Sequence, residues 1–210
     1  MRLDARGEPP QIPSMNAAPL RTVLLSCALL SAAFGVTFFA VPAARAQVNL
    51  LVGDRLIEAV KANDARSIEE LLARGHDPNV TDENQRTALM LAAASGYEDI
   101  IALLIRYRAG VNAQDKFGNA ALYYAAAADN VGVLKRLLDA GANVDTANRQ
   151  GATSLMIAAA EGHLASVQML IDHKADLEAT DFTGRTVHDW ARRNNRTAVL
   201  GVLDRAAAAR

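Results

Sequence analysis

A block of 33 residues recurs along this chain, and few folds can accommodate such a recurrence. Asp82, Asp115, Asn148 and Asp181 each open the same run at that spacing. A fixed period of this length predicts a solenoid, in which every unit buries its apolar face only against its neighbours and none folds alone. Thr87 to Gly96, Ala120 to Asp129 and Thr153 to Gly162 align residue for residue through Ala92-Ala93-Ala94, Ala125-Ala126-Ala127 and Ala158-Ala159-Ala160. A second apolar block follows in each: Ile100, Ile101, Leu103, Leu104 and Ile105; Val133, Leu134, Leu137 and Leu138; Val167, Met169, Leu170 and Ile171. That spacing puts the apolar side chains on one helical face. Each unit therefore reads as helix, turn, helix and hairpin loop, an all-α fold. The alanine runs let helices approach closely.

Two kinds of turn test this reading. The turn between helices needs a residue that tolerates left-handed backbone angles, and Gly96, Asp129, Gly162 and Asn195 are of that kind. The exit from the second helix makes the same demand, met by Gly75 and Gly141. Arg108 and Lys174 occupy it in the other units and would be strained there by about 1 to 2 kcal/mol.

These residues resemble the ankyrin repeat, and the resemblance covers about Leu50 to Arg205. Departures lie in the first helix. The family's proline is Ala88, Ala121, Ser154 and Val187, and its histidine two places later is Met90, Tyr123, Met156 and Asp189. The capping threonine is kept as Thr87, Thr153 and Thr186 but is Ala120 in one unit, a loss of about 1 kcal/mol. The repeat domain spans 47–205, with a divergent cap at 50–81, full repeats at 82–114, 115–147 and 148–180, a second divergent cap at 181–205, and a tail at 206–210. Asp54, Arg55, Glu58, Lys61 and Asp64 at one end, and His188, Arg192, Arg193 and Arg196 at the other, suit terminal units facing water.

The N-terminus speaks to location. Arg21 precedes the uncharged stretch Thr22 to Val41, and Pro42 leads to Ala44-Arg45-Ala46 before Gln47, the layout of a secretory signal cut between Ala46 and Gln47. Met15 is the expected start, leaving 1–14 as an upstream extension and 15–46 as the signal. The alternative is an uncleaved anchor, because twenty uncharged residues are long enough to span a bilayer. Either way the arginines before the stretch send the repeats outward, to the periplasm or beyond. Cys27, the one cysteine, lies within the leader, so the mature chain forms no disulfide. Repeats behind such a leader resemble periplasmic ankyrin proteins of Gram-negative bacteria.

Beyond residue 46 the chain carries 18 basic and 21 acidic residues, a net charge of −3, and no basic stripe suited to nucleic acid. His76, His163, His173 and His188 lack metal-ligand spacing, and His163 suits a structural place in an inter-helix turn. A phosphate loop, a nucleophile elbow and a mature thiol are all missing from the sequence. No catalytic residue, metal, cofactor or small-molecule substrate is assigned. The resemblance instead implies a protein partner bound along hairpin tips and the inner face of the first helices. Those places hold Glu83 and Arg86, Lys116, Phe117 and Asn119, Arg149 and Gln150, Phe182 and Arg185, with Glu161 at the border of a floor made by Ala127, Ala128 and Ala160. Phe117 and Phe182 beside arginines have the composition of an interface hot spot, unless each ring folds back on the adjacent hairpin. Tyr123 and Tyr124 read as packing residues, with only Tyr123 in reach of a partner. The domain is expected to act as a monomer.

Overall fold

A computed structural model describes residues 55–209. The expected leader, Cys27, the Ala46 and Gln47 junction and the first residues of the N-terminal cap lie outside the described residues. Among the described residues no helix is long and apolar enough to cross a membrane.

Ten helices follow one another in pairs, with no strand among the described residues. The first pair is α1 (residues 55–61) and α2 (Ala65–Ala73). The three full units contribute α3 (Ala88–Ser95) and α4 (Glu98–Arg106), α5 (Ala121–Ala127) and α6 (Val131–Asp139), and α7 (Ser154–Glu161) and α8 (Leu164–Asp172). The last pair is α9 (Val187–Arg193) and α10 (Thr197–Ala208). First helices α3, α5, α7 and α9 pack on each other in one row, and second helices α2, α4, α6, α8 and α10 in another. Their positions explain their compositions. A first helix meets a first helix on each side and its own partner behind, so α3 is buried continuously from Ala88 to Ala93. The second helices bury one stripe, as with Ile100, Ile101, Leu103 and Leu104 in α4.

Caps and turns follow the residues available. Thr87 and Thr153 each accept from the backbone N–H three residues on, from Met90 at 3.3 Å and Met156 at 3.4 Å. Ala120 holds the same extended backbone at the start of α5 but has no side chain to cap with. Thr186 differs from the expected cap, because the box is closed by Asp189, whose Oδ2 accepts from both N and Oγ1 of Thr186 at 3.0 Å. In the inter-helix turns Asn63, Asp129 and Asn195 take φ values of 54°, 54° and 56°, alongside glycines at 96 and 162. Arg108 and Lys174 do adopt left-handed exits, with φ of 63° and 67°.

Three seams of hydrogen bonds stitch one unit to the next. At the helix turns, Asn130 Nδ2 donates to Ala93 O at 2.9 Å, His163 Nε2 lies 3.1 Å from Ala127 O, and Arg196 Nε donates to Ala160 O at 2.9 Å. Each bond falls on a carbonyl in the last turn of a first helix, where the intrahelical ladder runs out. His163 thus fills the structural place expected of it. At the exit loops, Oδ1 of Asn79, Asn112 and Asp145 accepts from the backbone N–H of Gly110, Asn143 and Asp176. At the tips, the backbone N–H of Lys116, Arg149 and Phe182 donates to the carbonyl of Asn84, Phe117 and Gln150. The seams fix the register between units, as the apolar packing alone would not.

Candidate partner-binding surface

Each tip is closed by the residue that opens its unit. Asp82 Oδ1 accepts from the N–H groups of Asn84 and Arg86, Asp115 Oδ1 from Phe117 and Asn119, Asn148 Oδ1 from Gln150 and Ala152, and Asp181 Oδ1 from Thr183 and Arg185. One side-chain oxygen therefore folds the loop back on itself. The second polar atom explains why three units have a carboxylate and one an amide. Asp82 Oδ2 meets Arg86, with Nε at 2.9 Å and Nη2 at 2.7 Å. Asp115 Oδ2 accepts from the Tyr124 hydroxyl at 2.5 Å. Asp181 Oδ2 meets Nε of Arg185 at 2.9 Å, its Nη2 at 2.8 Å, and Trp190 Nε1 at 3.0 Å. Asn148 has Ala152 and Ile157 at the places of those donors, and its Nδ2 instead donates to Asn119 Oδ1 at 2.9 Å. A carboxylate stands where its own unit supplies a donor, and an amide where a neighbour supplies an acceptor.

Titration follows from this geometry. Burial works to raise the Asp181 carboxyl, but hydrogen bonds from Thr183 and Arg185 outweigh it and hold the group well below its ordinary value. Asp82 is lowered in the same way by Arg86 and Asn84. Burial, with the bond to Asp115, pushes Tyr124 up to about 12. Tyr123 is raised by burial and by the charges of Glu161 and Asp115.

The expected contact residues thus divide. Arg86, Arg185 and Asn119 are held by Asp82, Asp181 and Asn148, and Lys116 Nζ donates to Asn84 Oδ1 while lying 5.1 Å over the Phe117 ring. Glu83, Arg149, Gln150 and Glu161 are exposed, and no hydrogen bond or ion pair holds their side chains among the described residues. Phe117 is 54% and Phe182 78% exposed. Phe182 still leans on the adjacent tip, since a Cβ at Gly151 would lie 2.8 Å from its ring. Gly118 is needed for a similar reason, because a Cβ there would lie 2.7 Å from the backbone nitrogen of Arg149. The tips accordingly form a tight row on which both phenyl rings remain exposed.

Sequence reading overlooked Trp190. It stands nine residues after Asp181 as Tyr124 stands nine after Asp115, and each donates to its aspartate. That shared interval, in the chain's one tryptophan, is the signal that would have found it. Among the described residues no three His, Cys, Asp or Glu side chains gather as metal ligands.

A family model described as "Ankyrin repeats (3 copies)" matches twice, over residues 56–148 and 127–208. Serine/threonine-protein kinase 12 of Arabidopsis thaliana is 37% identical over 67 residues, which is 32% of this chain and 15% of that protein. Potassium channel AKT2/3 of the same plant is 32% identical over 68 residues, 32% of this chain and 8% of the channel. Potassium channel SKOR is 36% identical over 67 residues, again 32% of this chain and 8% of the channel. The chain thus spans less than a sixth of the length of these relatives, and their names describe whole proteins of which it matches a short part. The family model covers more than half of the chain and coincides with the paired helices, the turns and the tips: this protein belongs to the ankyrin repeat family, whose repeats are protein–protein interaction modules.

Proposed function

We propose that this chain is an exported, non-catalytic module that binds another protein through its hairpin tips and the inner face of its first helices. One observation carries the reading: Phe117 and Phe182 are large apolar side chains exposed on a row of tips that hydrogen bonds hold rigid, with the unpaired Arg149 between them. Ordering a loop around a partner costs free energy, and tips already fixed by Asp115, Asn148 and Asp181 avoid that cost. Aromatic and arginine side chains on such a frame are the residue types that dominate binding energy. Lys116, Asn119, Arg86 and Arg185 belong to the frame, whereas Glu83, Phe117, Arg149, Gln150, Glu161 and Phe182 are the side chains offered to the partner.

Export rests on Arg21, the uncharged stretch Thr22 to Val41 and the Ala44-Arg45-Ala46 site before Gln47. Intact-mass measurement on protein recovered from a Gram-negative periplasm should show Gln47 as the first residue. A mass that retains the leader would replace the soluble module with an anchored one. The surface is tested by quantitative pull-down of the parent and of Phe117→Ala plus Phe182→Ala. The paired variant should lose most of the partner, and unchanged recovery would reject this face.

A further inference from the structure

The last unit carries a recess of about 230 Å³ lined by Arg185, Trp190, Arg193 and Asn194. Its wall is preformed. The Trp190 indole is pinned through Nε1 to Asp181 Oδ2, and the Arg185 guanidinium lies 5.4 Å from the ring centroid. Nε and Nη2 of Arg185 both turn toward that same oxygen, so the remaining Nη1 edge is the one without a partner. Asn194 closes the side by donating its Nδ2 to Trp190 O at 3.3 Å.

The charges around the recess do not cancel. Asp181 offsets Arg185, and Asp189 offsets Arg192 at 3.2 Å. Arg193 is exposed and has neither hydrogen bond nor ion pair among the described residues, so one positive charge stands uncompensated beside an aromatic wall. Beyond the recess Phe182 is 78% exposed, and its N–H is bonded to Gln150 O, which brings the tip with the equally unpaired Arg149 alongside.

We propose that this end of the surface takes an extended acidic segment of the partner protein, with a carboxylate between Arg193 and the free edge of Arg185 and an apolar side chain over Phe182. The assignment rests on the tip surface being the binding face and adds the chemistry of what it binds. A planar guanidinium edge suits a carboxylate, and the pinned indole gives the neighbouring side chain a flat surface to cover. The occupant is a short acidic stretch. Exposed Glu161 and Glu83, and the domain's net negative charge, would repel a long polyanion such as a nucleic acid.

Trp190 is the chain's one tryptophan, so its emission reports the recess in the full chain. The probe is a capped Glu-Leu-Glu-Glu peptide, with Gln-Leu-Gln-Gln as the neutral control and oligothymidylate and sodium sulfate as other anions. The acidic peptide should change Trp190 emission saturably. Arg193→Gln should weaken it at least fivefold, and Arg193→Lys should recover part of the loss. Because Arg193 holds no other group, both variants should melt with the parent. An equal response to the neutral peptide, an affinity indifferent to Arg193→Gln, or a stronger response to oligothymidylate or sulfate would each overturn the assignment. Phe117 lies outside the recess, so Phe117→Ala should leave the peptide titration unchanged. A sound titration beside an indifferent pull-down would therefore reject the wider face alone, and a silent titration beside a lost pull-down would reject the acidic segment alone.

Discussion

Replacing Asp181 with asparagine changes one atom and, by the geometry of the last tip, should loosen the whole terminal unit. The side chain is 2% exposed and accepts five hydrogen bonds, from N and Oγ1 of Thr183, N and Nε of Arg185, and Trp190 Nε1. An amide oxygen at Oδ1 keeps the two backbone bonds that fold the tip, as Asn148 shows in the preceding unit. The NH2 group would then face donors from two side chains, Nε and Nη2 of Arg185 and Nε1 of Trp190. Two charge-assisted bonds are worth about 1.5 to 3 kcal/mol each, but the Arg185 side chain is about a third exposed and can turn to water, so its share is discounted. We expect a loss of about 2 to 3 kcal/mol near neutral pH, which for a domain of this size is a fall in Tm of about 5 to 10 °C.

Terminal units of a solenoid unravel first, so the loss should show earlier in Trp190 emission than in helical circular dichroism. The pH dependence supplies the sign. Asp181 titrates below its ordinary value of 3.8, so its contribution is present above about pH 4 and is lost as pH falls through the lower folded value. The gap between parent and variant should be full at neutral pH and narrow in strong acid. The same logic ranks the other tips. Asp82→Asn, which loses Arg86, should cost less than Asp181→Asn, and Asp115→Asn, which disturbs one hydroxyl, less again. Coincident melting of parent and Asp181→Asn at neutral pH, or a gap undiminished in acid, would refute the reasoning.

Other outcomes follow from single positions. Arg108→Gly and Lys174→Gly should be neutral to stabilising by up to about 1 kcal/mol in urea unfolding, because both side chains are exposed at left-handed φ, and a clear loss would mean the side chains contribute more than their strain. Ala120→Thr should raise stability by about 1 kcal/mol, since the backbone at the start of α5 already matches that at Thr153. Ala125→Leu should cost about 1 to 3 kcal/mol, as Ala125 is fully buried between neighbouring first helices, and an unchanged midpoint would refute the close packing of the alanine faces. In alkaline spectrophotometric titration, Tyr124 should ionise near pH 12, and Tyr124→Phe should remove that late step from the phenolate curve.

What could be read from the sequence was whatever repeats locally. The 33-residue period, the two helices per unit and the turn residues at 96, 129, 162 and 195 all depend on near neighbours, and each appears in the structure. Arg108 and Lys174 show alignment outranking propensity, since the period placed them in left-handed turns that their chemistry disfavours. The seams were not legible, because bonds such as Asn130 to Ala93 or Asp176 to Asp145 join residues in different units and no single window contains both partners. Comparing columns would have helped at the tips. Ala152 and Ile157 sit where the other units have donors, and the same unit has Asn148 in place of aspartate. Among the contact residues, the arginines four places after an aspartate, Arg86 and Arg185, are bound to it, while Arg149, which follows Asn148 directly, is exposed and has no such partner among the described residues.

This separation of roles bears on how such a surface changes partners without losing its fold. The frame is closed by side chains whose polar atoms are already satisfied: Asp115 with Tyr124, Asn148 with Asn119, Asp181 with Arg185 and Trp190. Phe117, Arg149, Phe182 and Arg193 are exposed and make no hydrogen bond through their own side chains, so substitution there should cost little stability and, on the proposed function, fall on binding. Asp181 is where the two roles meet. The carboxylate that closes the last tip also fixes the indole and the guanidinium that shape the recess, so loosening it disturbs the recess together with the tip. A rigid tip and a preformed recess are in this protein two consequences of one buried charge.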